Sequence, residues 1–240
     1  MFSEEFDKIV EFRRSNRSYN PEIEVADEVI EKSIKRAILA PNSSNMQLWE
    51  FYWIKSQNEL DRLTPLCLNQ SAARTAKHMV VFVTRKDLWR SRAKWNYDKI
   101  MNTVQGEPGK LQKRGLAYYK KLIPLVYMND PFCFLSAVRR TISFFGGIRK
   151  PFYRLGGKSD QRIVVHKSCA LAAQNFMLSI SAEGYHSCPM EGFDKKRVKK
   201  MLNLPYGAEI NMIVSVGKGT DKGVWGPRYR VPYEEVVFKR

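Results

Sequence analysis

The chain is poor in histidine, cysteine and acid, and it lacks a long hydrophobic run. Three histidines and four cysteines in 240 residues leave little material for a metal centre. Cys67, Cys133, Cys169 and Cys188 form no CxxC pair and no framework spacing, so they read as reduced thiols in a reducing compartment. His166 with Cys169, and His186 with Cys188, come nearest to a ligand set. Ala170, Ala172, Ala173 and Phe176 around Cys169 make it ordinary core instead, and no metal is expected. Isolated histidines also support no Ser-His-Asp or Cys-His relay. Glu4, Glu5, Asp7, Lys8 and Glu11 interrupt Phe2 to Phe12, so that stretch does not resemble a signal peptide and none is expected there. The most apolar stretch, Phe132 to Ile148, carries Arg139 and Arg140 and falls short of the roughly 20 residues of a membrane span. A cytoplasmic protein with no membrane span is expected.

What the chain has is base. Forty-one Lys and Arg against 24 Asp and Glu give a net charge of +17, which favours anionic partners: nucleotides, nucleic acid or an acidic surface. Lys195-Lys196-Arg197 and Lys199-Lys200 surround Val198, Met201 and Leu202, so that cluster reads as the wet face of a helix. A hydrophobic content of 44% and 12% aromatics are globular values, and the length suits one compact domain over residues 1–240.

The periodicity predicts a first helix capped by Ser3, with Phe2, Phe6, Ile9 and Val10 inward. A second helix is expected from Asp27 to Ala40, with Val29, Ile30, Ile34, Ala37 and Ile38 inward and Pro41 ending it. Trp49 to Ile54 and Met79 to Thr84 read as strands, the latter covered on both faces. Asp160 opens a long helix to about Glu183, closed by Gly184. Asp194 caps a short helix to about Leu202, Ile210 to Val216 is a strand, and Val236 to Phe238 a last one. Residues 85–158 are expected to form a helical, aromatic-rich excursion, broken by glycines at Gly106, Gly109, Gly146-Gly147 and Gly156-Gly157. Strands and helices mix without βαβ alternation, an α+β pattern.

Four segments carry candidate chemistry. Arg13-Arg14-Ser15-Asn16-Arg17 gathers three guanidinium groups and a hydroxyl after the first helix. Each guanidinium offers a planar fork of donors that fits phosphate oxygens. Pro41-Asn42-Ser43-Ser44-Asn45 presents short polar groups from a loop, suited to the edge of a polar heterocycle. Cys188-Pro189-Met190-Glu191-Gly192-Phe193-Asp194 is expected to be a tight turn exposing backbone N–H groups, with Gly192 permitting close approach or an unusual conformation. Arg228 and Arg230 alternate in an extended stretch and make a second anion clamp. Gly217-Lys218-Gly219-Thr220-Asp221-Lys222-Gly223 follows a strand, but its GxGxxxG spacing and the Trp225-Gly226-Pro227 that follows are wrong for a dinucleotide fingerprint.

Together these segments resemble the nitroreductase family of flavin-dependent oxidoreductases. Arg13, Arg14, Ser15 and Arg17 match its Arg-Arg-Ser-x-Arg segment; Pro41, Ser43, Asn45, Gln47 and Trp49 match its Pro-Ser-Ser-x-Asn-x-Gln-Pro-Trp loop. Pro189, Met190, Glu191, Gly192, Phe193 and Asp194 match its Pro-Ile-Glu-Gly-Phe-Asp turn, and Arg228 and Arg230 its C-terminal basic pair. Asn42 stands where Ser is usual and Leu48 where Pro is usual. The resemblance implies a mostly antiparallel sheet flanked by helices in an intertwined homodimer. It implies FMN, its phosphate between Arg13, Ser15 and Arg17 on one side and Arg228 and Arg230 on the other, with Arg14 nearby. The Glu191 backbone N–H would meet flavin N5, and Asn42, Ser43 and Asn45 would reach across from the partner subunit. NADH or NADPH would be the reductant, and a small molecule such as a nitroaromatic or quinone the acceptor. Dehalogenation or other flavin chemistry fits the same resemblance. The rival class is a basic non-enzymatic protein binding nucleic acid or an acidic surface, supported by the Arg, Lys and aromatic residues between Trp89 and Tyr153.

Overall fold

The computed structural model describes residues 2–129, 132, 134–154 and 157–240. Cys133 and Gly156 lie outside the described residues. Helices α1 (Ser3–Phe12) and α2 (Asp27–Ile38) precede strand β1 (Trp49–Ile54). Helices α3 (Gln57–Leu63) and α4 (Ser71–Arg74) lead to β2 (His78–Thr84). Residues 89–149 contribute α5 (Trp89–Met101), α6 (Lys110–Ala117), α7 (Ile123–Tyr127) and α8 (Phe134–Arg149), with a π turn at Tyr118–Leu122. The long α9 (Lys158–Ala182), β3 (His186–Met190), α10 (Lys195–Met201), β4 (Glu209–Gly217) and α11 (Tyr233–Val236) complete the chain.

The four strands form one antiparallel sheet in the order β1-β2-β4-β3. Strand β2 is buried along its whole length, as its unbroken apolar run requires. On one face Val80, Phe82, Val214 and Val216 pack with Ile30 and Ala37 of α2 and Cys169, Phe176 and Ile180 of α9. On the other, Met79, Val81, Val83 and Ile213 meet Leu60, Leu63, Cys67, Ala72 and Val198. A third cluster ties Met46 and Leu48 to Trp89, Ala93, Ile123, Tyr127 and Val165, so residues 89–127 close over the loop before β1. Helix α9 is long and apolar enough to cross a membrane by length and composition, yet it is the core helix of this layer.

Several local expectations are corrected. Ser3 is the first helical residue, and Phe2 precedes it with no side-chain cap. No residue of α1 is buried: Ile9 is half-buried and the Phe12 ring lies 4.6 Å from that of His186, but Phe2 and Phe6 are 90% and 54% exposed. Helix α2 stops at Ile38, which points outward because it lies about 100° around the helix from the buried Ala37. Asp160 sits in the first turn of α9, where its carboxylate accepts the Gly157 N–H at 2.9 Å. Residues 236–238 form no strand: no described strand lies beside them, and Glu234 and Glu235 instead suit the positive end of α11. Residues 188–190 are the end of β3, paired with β4 through Met190↔Ile213, so the turn is confined to Glu191–Asp194.

Candidate functional site

The arginine segment is fixed from both sides. Ser15 bridges Ser187 of β3 in parallel, and the Asn16 N–H donates to Ser187 O at 3.2 Å. On the other side the Arg17 N–H donates to Gly223 O at 2.8 Å. Asn16 is the buried pivot, at 2% exposure. Its Nδ2 donates to Thr220 O and its Oδ1 accepts the Ser18 N–H, both at 3.0 Å. The glycines of the 217–223 stretch make this closeness possible. A Cβ at Gly217 would lie 2.6 Å from the Tyr19 ring, and one at Gly219 or Gly223 would lie 2.6 Å from Asn16 Cγ. The GxGxxxG spacing is thus a packing surface for residues 16–19. Asn16 went unremarked in the sequence; the glycine spacing was the signal that could have exposed it.

Around this pivot the guanidinium groups gather. Arg228 reaches the C-terminal end of α1, donating to Glu11 O at 2.7 Å and Arg13 O at 3.0 Å, where a cation complements the helix dipole. Arg14 donates to Gly226 O at 2.9 Å, and Arg17 lies 4.3 Å above the Trp225 ring. Arg230 donates to its neighbour Tyr229 O. Arg13 is half-buried, and burial, then Arg228, Arg230 and Arg14, hold its guanidinium below the ordinary value. None of the five forms an ion pair among the described residues. Mutually repelling cations with no carboxylate between them are an anion site by charge. Cys188 also borders the cluster: burial raises its thiol, and Arg17 and Arg13 pull the other way.

The Glu191–Asp194 turn lies beyond the last rung of β3. Glu191 and Gly192 are exposed, Phe193 is buried, and the Asp194 N–H donates to Leu66 O at 2.8 Å. Gly192 does not have a positive φ, and a Cβ there would meet Gln70 Nε2 at an ordinary 3.4 Å. Of the two roles open to Gly192, close approach or an unusual conformation, the second is absent. Gln70 instead supports the turn, donating to Gly192 O at 2.6 Å. Pro189 and Met190 sit on β3, paired with Val214 and Ile213.

The Pro41–Asn45 loop stands elsewhere. Ser44 and Asn45 take positive φ values of 56° and 48°, stabilised by outside partners. Asn45 Nδ2 donates to Asn96 Oδ1 at 2.9 Å, the Tyr119 hydroxyl donates to Ser44 O, and the Ser43 N–H donates to Ser168 Oγ. Asn42 Oδ1 accepts the Gln47 N–H at 2.8 Å. The loop opens β1 level with Thr84 of β2 and Glu209 of β4, whereas Ser187, which bridges Ser15, pairs with Val216. Three strand spacings, about 14 Å, and seven residues (209 to 216), about 23 Å, separate the two. One chain therefore brings Arg13, Arg14, Ser15, Arg17, Arg228 and Arg230 close to the Pro189–Gly192 segment. It leaves Pro41, Asn42, Ser43 and Asn45 at the far edge of the sheet.

The sequence model of the nitroreductase family matches residues 10–218, from the end of α1 to the glycine stretch. The chain belongs to the nitroreductase family. That membership places it among oxidoreductases. Among its relatives, Protein DrgA of Synechocystis is 29% identical over 217 residues, covering 90% of this chain and 84% of that protein. A Thermus thermophilus protein named NADH dehydrogenase is 26% identical over 232 residues, 95% and 92% of the two chains. The nitroreductase fold is also that of a candidate nitroreductase from Exiguobacterium sibiricum solved in complex with FMN. It superposes at a TM-score of 0.66 and 22% identity over 98% of this chain and 97% of that one.

Proposed function

We propose that the protein is an FMN-dependent NAD(P)H oxidoreductase working as a homodimer with two interfacial sites. The observation that carries this reading is the cluster of five arginines without an acid partner, set beside the Glu191 turn. Arg13, Ser15 and Arg17 would hold the FMN phosphate from one side and Arg228 and Arg230 from the other, as charge-assisted donors to its oxygens. FMN, when bound, supplies hydride acceptance and donation at N5. The Glu191 backbone N–H would donate to N5 and fix the ring, and positive charge from Arg14 or Arg17 near the pyrimidine edge would favour electron uptake. The names of the Thermus relative and the Exiguobacterium structure support the nicotinamide and the FMN respectively. A nitroaromatic or quinone is the acceptor class.

Two features support the dimer. The loop with Asn42, Ser43 and Asn45 stands too far from its own arginine cluster to share a site, so those of the partner subunit would complete it. The chain also exposes 15426 Å², against about 11,000 Å² for a compact monomer of this mass. The exposed apolar side chains include Phe2 before α1, Phe6 of α1 and Tyr229, Tyr233 and Phe238 of the C-terminal stretch. On this reading residues 1–240 are one unit, residues 85–158 an excursion from it, and the enzyme is cytoplasmic.

The test uses two of the three arginines whose guanidinium groups make no long-range hydrogen bond, Arg13 and Arg230, and leaves Arg17 on its Trp225 ring. Arg13→Ala with Arg230→Ala should weaken FMN retention more than tenfold, since each charge-assisted bond contributes about 1.5–3 kcal/mol. Lys195→Ala with Lys196→Ala removes the same charge from α10 and should leave retention unchanged. Equal losses would refute the clamp, and a colourless purified protein that takes up no FMN would refute the function.

A further inference from the structure

Helix α8 is built inside out. Its buried residues are Ser136 and Ser143, while Ile142, Phe144, Phe145 and Ile148 are 52%, 60%, 65% and 63% exposed. At 100° per residue, Phe144, Ala137, Ile148, Thr141, Phe145, Val138 and Ile142 span an outward arc of roughly 160° opposite the two serines, and Arg149 joins it only at the last residue of the helix. The polar side docks the helix. Arg139 turns inward to close the end of α7, donating to Met128 O at 2.7 Å, Leu125 O at 3.1 Å and Asn129 Oδ1 at 3.2 Å. Residues after α8 fold back on it. The Phe152 ring lies where a Cβ on Gly146 would be 2.8 Å away, and Arg154 donates to Gly147 O at 3.0 Å.

Charge decides what such a face fits. Residues 131–159 contain no Asp or Glu, but carry Arg139, Arg140, Arg149, Lys150, Arg154 and Lys158. A second copy meeting this face with the same face would set cation against cation. A nucleic acid would use the cations and leave the phenylalanine and isoleucine arc in water. An anionic bilayer satisfies both, because cations meet phosphates while apolar side chains enter the boundary between headgroups and acyl chains.

We propose that α8 and residues 150–154 lie on the surface of anionic phospholipid, with Ile142, Phe144, Phe145 and Ile148 inserted and Arg140, Arg149 and Lys150 on the phosphates. This surface would hold the protein at a membrane without a spanning segment. It is independent of the flavin site, since none of these residues belongs to the arginine cluster.

Cosedimentation of the full chain with vesicles of phosphatidylcholine, with and without phosphatidylglycerol, tests it. Binding is expected only with phosphatidylglycerol and should weaken with salt. Arg149→Ala with Lys150→Ala should lower affinity about 25-fold, the product of roughly fivefold per cation. Phe144→Ser with Phe145→Ser, at exposed positions the fold does not need, should lower it at least tenfold with thermal stability and FMN retention unchanged. Lys195→Ala with Lys196→Ala should leave it within twofold. No binding to phosphatidylglycerol vesicles, or equal losses from the two cation pairs, would overturn the proposal. So would full binding by the phenylalanine variant. A drop in its mass by light scattering would assign the face to contact between copies instead.

Discussion

Gly223→Ala tests whether the arginine segment is held as the geometry says. The added Cβ would stand inside van der Waals distance of Asn16 Oδ1, 2.6 Å from its Cγ and 2.7 Å from the Ser18 nitrogen. The backbone nitrogen cannot retreat, because Arg17 donates to Gly223 O and Thr220 donates to Ser18 O on either side of it. The Asn16 amide must therefore leave. Its bonds to Thr220 O and the Ser18 N–H would go with it, stranding partners in a largely buried setting. Each loss costs about 1–3 kcal/mol, or about 2–6 kcal/mol together. For a chain of this size that corresponds to a fall in Tm of roughly 4–24 °C. Scanning calorimetry at fixed protein and FMN concentration reads the stability, and flavin content after gel filtration reads the site; both should fall. The double variant Asn16→Ala/Gly223→Ala separates the two contacts: the amide clash is gone and the 2.7 Å approach to the Ser18 nitrogen remains, so the double should lose clearly less than the sum of the two singles. A Gly223→Ala protein within 2 °C of the parent, or strictly additive effects in the double, would refute the reasoning.

Stability should also fall on acidification from pH 7 to pH 5. His186 Nδ1 accepts the Gly219 N–H at 3.1 Å, and burial with Lys218 nearby holds the imidazole below its ordinary 6.5. The neutral form is native, so its contribution is full above 6.5 and is lost as pH falls through the lower folded value, where the unfolded chain already binds the proton. Denaturant midpoints at the two pH values should differ, and less so in His186→Gln; an equal difference in both would sink the assignment. Glu191→Gln should keep FMN and reduction by NADH or NADPH, because the backbone rather than the carboxylate is the proposed donor. Gly192→Ala should keep Tm, given the ordinary 3.4 Å contact, so any loss of flavin reduction in stopped flow would report the cofactor's approach. Reduction abolished by Glu191→Gln would make its side chain an acid or base. Light scattering should give a dimer, and a flavin-bearing monomer would end the shared-site reading.

The sequence by itself determined what is local. Helical spacing and the capping Asp194 predict α10, the β-branched run 79–84 predicts a central strand, and Gly184, at φ 77°, closes α9. Side-chain period, caps and left-handed glycines act within a turn or two of chain, so neighbours in sequence are enough to see them. The four motifs were legible for the same reason, being contiguous runs of donors. Tertiary structure decided what depends on distant partners. The β1-β2-β4-β3 order separates the Pro41–Asn45 loop from the arginines, and it alone gives the GxGxxxG glycines their task of admitting Asn16 and Tyr19. It turned the expected strand at 236–238 into a tail after a short helix, because a strand needs a ladder and none of the described strands lies beside it. It also left Phe6 of α1 and the apolar side of α8 facing outward. Hydrophobic periodicity says that a face must be covered, but not whether the cover comes from the same chain.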